Sequence, residues 1–394
     1  MQVNYQFIDT LTGLEDFAKS LEGVTSVAVD LEADSMYHFQ EKVCLLQMSS
    51  GTASVVIDPI QIKDMSSLKP LFFNRKIKKI FHGADYDVRS LYRDFNIQIN
   101  NLFDTQAACM FLGYKETGLN AVLKQKFGVS LNKKYQKKDW SVRPLPEKMI
   151  EYAVADAAYL IPLAEMLEKE LEKKGRLYWV HEENKILSEV RTVSNDDNPL
   201  YLKFKGAGKL DRRSLAVLEA LLGFRMHLAE RKDKPLFKVF SNNALMKVAL
   251  KKPVDLPSLK KAEAFSPKQI KMYDNHVIDM VAGALQIPQN ELPLYPKKRA
   301  PRVDASVAAR VKALKSWRDS KSQMLEIDPG LLCNNLLISA VAVQNPLNAK
   351  ALEKIEELKN WQRKEFGREI IALLRKAATV QPLRHTGTKK ESGL

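Results

Sequence analysis

Cysteine is scarce in this 394-residue chain: three residues, at 44, 109 and 333, too scattered for a disulfide framework or a zinc site. Such usage fits a reducing compartment. No stretch approaches the ~18 consecutive apolar residues of a membrane span. The opening MQVNYQFIDTLTG has neither a basic start nor an apolar run, so no secretory signal is expected. Glycine and proline number only 16 and 17, which leaves no room for a collagenous or low-complexity chain. Fibrous, secreted disulfide-rich and membrane classes are excluded, and a cytoplasmic protein without membrane contact is the expectation. What is present, 45% hydrophobic and 28% charged residues at a mean hydropathy of −0.28, is an ordinary globular balance. The length suffices for two or three domains at roughly 150 residues each.

Positive charge is unevenly placed. Residues 1–197 hold 25 Lys and Arg against 28 Asp and Glu, a net of −3; the remainder holds 37 against 19, a net of +18. A basic half joined to a near-neutral half suggests a module that grips a polyanion beside something else. Lysines that merely solubilise helix surfaces would give the same count.

The first half alternates strand and helix patterns. SVAVDLEA (26–33), VCLLQMSS (43–50), ASVVIDPI (53–60) and KKIFHGA (78–84) read as strands, the last running into a helix from about Asp85 to Phe95. A further short strand in NNLFDTQAACMFLG (100–113) leads into a helix that stops at Gly113, with Asp104 as its cap. Three strands followed by βα units predict a mixed sheet with helices packed on it, an α/β fold. An apolar stripe runs along Glu147–Lys174, where Pro162 should bend or divide the helix. A boundary falls in SNDDNPLYLKFKGAGKLD (194–211). Beyond it lie two helical blocks, 211–287 and 305–377, separated by PQNELPLYPKKRAPR (288–302) and matching as an internal repeat of about 70–75 residues. In that repeat FSNNALMKVALKKP parallels LLCNNLLISAVAVQNP, and the tail QPLRHTGTKKESGL reads as frayed.

Several acidic residues stand out. Asp30 and Glu32 sit two apart near a strand end, so both carboxylates share a face while Leu31 points into the core. Two like charges on so apolar a strand call for a counter-ion, and oxygen ligands suit Mg²⁺ or Mn²⁺; a strand end emerging into solvent is the alternative. Asp87 lies early in the helix after KKIFHGA, with Asp85 as its competitor or as a cap for the helix N-terminus. Tyr152 and Asp156 are four apart and share a helix face, an arrangement that a core edge beside a solvated charge would also produce.

In order, strand Asp-x-Glu, then an Asp some 55 residues on, then Tyr-x-x-x-Asp resembles the DEDD superfamily of 3′–5′ exonucleases, tyrosine subtype. Within it the chain resembles the ribonuclease D family, through FHGADYDVRSLYRDF, LFDTQAACMFLG, NKKYQKKDWSVRPLP and YAVADAAYLIPL, over about residues 1–180. The two basic blocks resemble the helicase-and-RNase-D C-terminal (HRDC) domain, twice. WRDSKSQMLEIDPGLLCNN and LKNWQRKEFGREIIALLRK carry the second copy; in the first, YDNHVIDMV lacks the family's glycine after the tyrosine, a departure placed at the turn before its last helix.

The resemblance implies an RNase H-like sheet with flanking helices over 1–195, then HRDC domains at 211–287 and 305–377. It implies a 3′–5′ exoribonuclease that trims RNA with an unpaired 3′ end, including precursor tRNA, to nucleoside 5′-monophosphates. Asp30, Glu32, Asp87 and Asp156 would hold two divalent ions, Mg²⁺ or Mn²⁺, with Tyr152 orienting the attacking water. The five-residue spacing from His82 favours Asp87 over Asp85, and His82 itself is read as structural. Lys133 would lie near the terminal nucleotide and Leu31 against the last base. A chain ending near Leu202 should then still cleave but bind structured RNA more weakly. A DNA exonuclease with the same catalytic set and a non-catalytic nucleic-acid-binding protein are the rivals; the five residues present argue against the latter.

Overall fold

The computed structural model describes residues 4–51, 53–192, 198–296 and 304–379. Six strands form one sheet: β1 (Gln6–Ile8), β2 (Ser26–Ala33), β3 (Val43–Ser49), β4 (Ser54–Ile57), β5 (Lys78–Phe81) and β6 (Leu102–Asp104). Their order is β1-β4-β3-β2-β5-β6, antiparallel at β2/β3 and β3/β4 and parallel at the other pairs. This is the mixed α/β sheet expected, with β1 and the helix Leu11–Ser20 added at its edge. Among the described residues every strand lies before residue 105.

Period-2 alternation sorts β2 between two cores. Val27, Val29 and Leu31 join one with Leu14, Phe72 and Leu91; Ala28 faces the other, with Ala108, Ala157 and Leu163. Asp30 and Glu32 share the Ala28 face. There the chain divides into helices Glu147–Ala158 and Leu160–Lys173, broken at Tyr159. Pro162 stands in the first turn of the second helix, where a missing N–H leaves no intrahelical bond unmade. The proline divides the stripe rather than bending it.

The two helical blocks are the same five-helix unit in a constant register. Arg212–Arg231, Leu236–Val239, Asn242–Lys251, Leu256–Lys261 and Pro267–Gln286 in the first match Ala305–Leu325, Pro329–Leu332, Asn335–Gln344, Ala349–Leu352 and Asn360–Thr379 in the second. Caps Asp211 and Asp304 correspond, as do left-handed C-caps Lys252 and Asn345, each 93 residues apart. Arg225 donates to the Phe240 carbonyl and the Asn242 side chain; Arg318 makes the same pair of bonds to Cys333 and Asn335. In this register Asp274 of YDNHVIDMV aligns with Gly367, and both lie inside the last helix rather than in a turn before it. A Cβ on Gly367 would stand 2.9 Å from Leu352, so the glycine serves close helix packing in the second copy. The tail 381–394, linker residues 297–302 and boundary residues 194–197 lie outside the described residues.

The copies join the α/β half differently. The second shares a continuous core with it: Trp361 stacks on Trp179 at 4.6 Å between ring centroids, and Phe111 meets Trp361 edge-on at 5.6 Å. Glu182 accepts from the backbone N–H groups of Asn360 and Trp361, capping that copy's last helix, and Lys359 pairs with Glu183. A cut near Leu202 would therefore bare the aromatic surface formed by Phe111 and Trp179. The first copy, whose core also recruits Tyr201, Phe204 and Leu292, touches the loop after β2. Asp233 accepts from the Phe39 N–H at 3.0 Å and lies 2.6 Å from His38 Nδ1.

Candidate active site

The site forms where β2 meets the helix Glu147–Ala158. Asp30, Glu32 and Asp156 each offer a carboxylate oxygen, and these atoms lie within 4.8 Å of one another. Among the described residues none of the three has a Lys or Arg partner within 4.0 Å. Burial pushes all of them toward the protonated form, and for Glu32 and Asp156 the charges of their neighbours add to it. Asp30 rises to about 7 chiefly through burial. Glu32 rises to about 10 through burial and then the charges of Asp30, Asp156 and Asp87. Asp156 rises to about 8 through burial and then Asp30. A cluster so disfavoured when ionised is built for added positive charge, and all-oxygen donors select a hard divalent ion. The donor set fits.

Asp87 reaches the cluster from the far side of the sheet top. After β5 the chain turns through Gly83, whose φ of +79° favours glycine, and Asp104 pins the turn by accepting from the N–H groups of Gly83 and Ala84. Asp104 also caps its own helix Thr105–Leu112 through the N–H of Gln106. Asp87 is thereby buried, and burial followed by the charges of Asp30 and Asp104 raises its pKa well above the ordinary range. It lies outside the close trio but is electrostatically joined to it. Asp85 points away, paired with Arg89 at 2.8 Å. It makes no capping bond: Asp104 satisfies that turn, and the cap role read for Asp85 is corrected.

Tyr152, one turn before Asp156, holds its hydroxyl against that carboxylate; burial and the charges of Asp156, Glu32 and Asp30 raise its pKa, so it remains a phenol. Its ring is flanked by Tyr135 at 6.0 Å and Trp140 at 6.1 Å. Both come from the basic loop 132–141, whose Lys133, Lys134, Lys137 and Lys138 are all exposed. The loop is tied down at its end by Arg143, which donates to Asp58 at 2.5 and 2.8 Å and to the Cys44 carbonyl at 2.7 Å. That buried anchor had no sequence signal, because Asp58 and Arg143 are 85 residues apart. Lys133 reaches the rim of a cleft of about 600 Å³ that also contains Asp30, Glu32, Tyr152 and Asp156. Leu31 belongs mainly to the core and lines the same cleft.

His82 also borders the cleft. Its Nδ1 lies 2.9 Å from Thr105 Oγ1, whose hydroxyl donates to the Phe81 carbonyl, so the histidine is the donor there. Burial lowers its pKa, which keeps it neutral, against the opposing pull of Asp104 and of the Thr117 backbone. It holds the turn that carries Asp87.

Known proteins resemble this chain over nearly its whole length. Residues 5–172 match the 3′–5′ exonuclease family, and residues 214–281 and 307–374 each match the HRDC domain. The protein named Ribonuclease D from Bartonella henselae is 28% identical over 373 residues, covering 94% of this chain and 90% of that one. The crystal structure of RNase D from Escherichia coli, described as an exoribonuclease involved in structured RNA processing, has a TM-score of 0.72 at 25% identity and covers 95% and 99% of the two chains. The catalytic core of RRP6 from Trypanosoma brucei is 30% identical, with a TM-score of 0.64 over 72% of this chain and 80% of that one. An acidic cluster on this sheet, followed by two HRDC copies and matched end to end in this way, belongs to the ribonuclease D family of DEDD-superfamily 3′–5′ exoribonucleases.

Proposed function

We propose that this protein removes nucleotides one at a time from unpaired RNA 3′ ends, those of precursor tRNA among them, using two divalent ions held by Asp30, Glu32, Asp87 and Asp156. The observation that carries the reading is the close trio of carboxylates, none paired with a Lys or Arg among the described residues, set beside a phenol and a lysine-rimmed cleft. Bound Mg²⁺ or Mn²⁺ would supply a water acidic enough to attack near neutral pH and neutralise the charge gathering on the phosphate and the leaving oxygen. The chain's own residues do the rest. Tyr152 stays protonated and orients the attacking water by hydrogen bonding rather than by taking its proton. Lys133 supplies a point charge for a phosphate, and Leu31 offers an apolar edge to the last base. A cleft of about 600 Å³ suits a nucleotide or two and is too small for a duplex.

Exonuclease chemistry is assigned to 1–195, and the blocks 211–287 and 305–377 add basic surface that tracks phosphates. The cysteines at 44, 109 and 333 are free and buried, which suits action in the cytoplasm. The test is a 5′-labelled transfer-RNA precursor with a short 3′ extension. Stepwise shortening that halts at the structured stem, in Mg²⁺ or Mn²⁺ and not in EDTA, is expected. Internal cuts, or equal trimming in EDTA, would overturn the reading.

A further inference from the structure

Gln47 lies on β3 directly opposite Asp30 on β2, so the two side chains leave the sheet on one face with Cβ atoms roughly 5 Å apart. It is fully buried, and among the described residues neither Nε2 nor Oε1 has a hydrogen-bond partner. Its other cross-strand neighbour is Val56 on β4, which shares a core cluster with Leu45, Ala153 and Val154. A buried amide left this way carries a desolvation penalty that a methionine of similar size would avoid. The polar groups that the strand register offers on this face are few. Ser49 is engaged with Ser54. Asp30 stands directly across and Glu32, paired with Leu45, on the diagonal. Asp30 in turn receives no side-chain hydrogen bond among the described residues, although it sits at the centre of the acidic cluster. Carboxylates that ligate metals are ordinarily oriented by such bonds.

We propose that Gln47 is a positioning residue for the metal site, its Nε2 donating to the Asp30 carboxylate in the metal-loaded protein and fixing the plane in which that carboxylate offers its oxygens. The inference rests on the reading of Asp30 as a metal ligand. It explains why an amide is retained at a place where an apolar side chain would fold better: the partner is worth having only once the carboxylate is held in its ligating orientation.

The test uses the full chain stripped of metal and titrated calorimetrically with Mn²⁺ alone, comparing wild type with Gln47→Met and, in case that variant misfolds, Gln47→Leu. Expected are Mn²⁺ affinity weakened about tenfold, metal-free unfolding midpoints equal to or above wild type, and a nuclease deficit that saturating Mn²⁺ removes. In crystals of the Mn²⁺-loaded wild type, Nε2 should lie about 3 Å from an Asp30 oxygen. If wild type itself binds no Mn²⁺, the metal reading fails. If wild type binds and both variants bind within twofold of it, or if weaker binding comes only with a lower metal-free midpoint, the positioning role alone is overturned.

Discussion

Stripping divalent ions from this protein and raising the pH should destabilise it steeply. Asp30, Glu32 and Asp156 are held up to about 7, 10 and 8 in the folded state, against ordinary carboxylate values of 3.8, 4.5 and 3.8. The folded chain therefore binds protons that the unfolded chain has already lost. For groups raised in this way, stability is fully present below the unfolded pKa near 4 and drains away as pH climbs through the folded values. Between about pH 5.5 and 7, Asp30 alone forfeits ~2 kcal/mol at about 1.4 kcal/mol per unit. Asp156, treated separately, forfeits ~3 kcal/mol by about pH 8. Glu32, held highest, forfeits a further share of similar size over the same range; the three titrate as one cluster, so these shares do not simply add, and a net loss of several kcal/mol is the figure to test. Urea unfolding in chelator, followed at several pH values, measures it. Mn²⁺ should restore more stability at the alkaline end, because ligands must be ionised to bind. The variant Asp30→Asn/Glu32→Gln/Asp156→Asn should have a flatter profile and gain nothing from Mn²⁺. A flat wild-type profile in chelator would refute the idea that these carboxylates are packed together against their charge.

Other outcomes follow from particular contacts. Asp87→Asn should abolish turnover while leaving the circular dichroism spectrum unchanged; Asp85→Asn should keep nearly full rate and lose under about 1 kcal/mol, since only its half-exposed pair with Arg89 is altered. The reverse pattern in a nuclease assay would mean the wrong aspartate faces the metals. Trp361→Ala removes the stacking partner of Trp179 and should cost about 3–5 kcal/mol in thermal unfolding. It should also speed proteolysis within 304–379, and an unchanged digestion pattern would show that the second HRDC copy does not depend on this contact. Asp233→Ala severs the bonds to His38 and the Phe39 N–H, so small-angle scattering should show a broader distance distribution for the first HRDC copy, with little change in global stability.

How much of this could be read from the sequence depended on the range of the signal. Strands β2 to β5 were legible because their apolar residues are local and β-branched, and the Asp30/Glu32 spacing follows from the strand period alone. Tyr152 and Asp156 were legible as a helical pair, and the repeat emerged from FSNNALMKVALKKP against LLCNNLLISAVAVQNP. β1 went unread because three residues carry too little pattern to stand out. Asp85 read as a cap because an acid in a first turn ordinarily is one; only the fold shows its carboxylate turned to Arg89, while Asp104 from the next strand pins the turn just before the helix. The aromatic seam of Phe111, Trp179 and Trp361 joins residues up to 250 positions apart, so no local pattern foretold that the second HRDC copy is part of the exonuclease core. Gln47 is polar on a strand that otherwise reads as core, and its meaning depends on which β2 residue the register sets against it.

The most direct measurement of the central claim is a single-turnover digest of one single-stranded RNA, labelled at the 5′ end in one sample and at the 3′ end in another. With Mg²⁺ or Mn²⁺, the 5′-labelled strand should shorten by single nucleotides, while the 3′ label is released at once as a nucleoside 5′-monophosphate; EDTA or Asp30→Asn should stop both. Release of the 5′ label first, or undiminished cleavage in EDTA, would contradict the account.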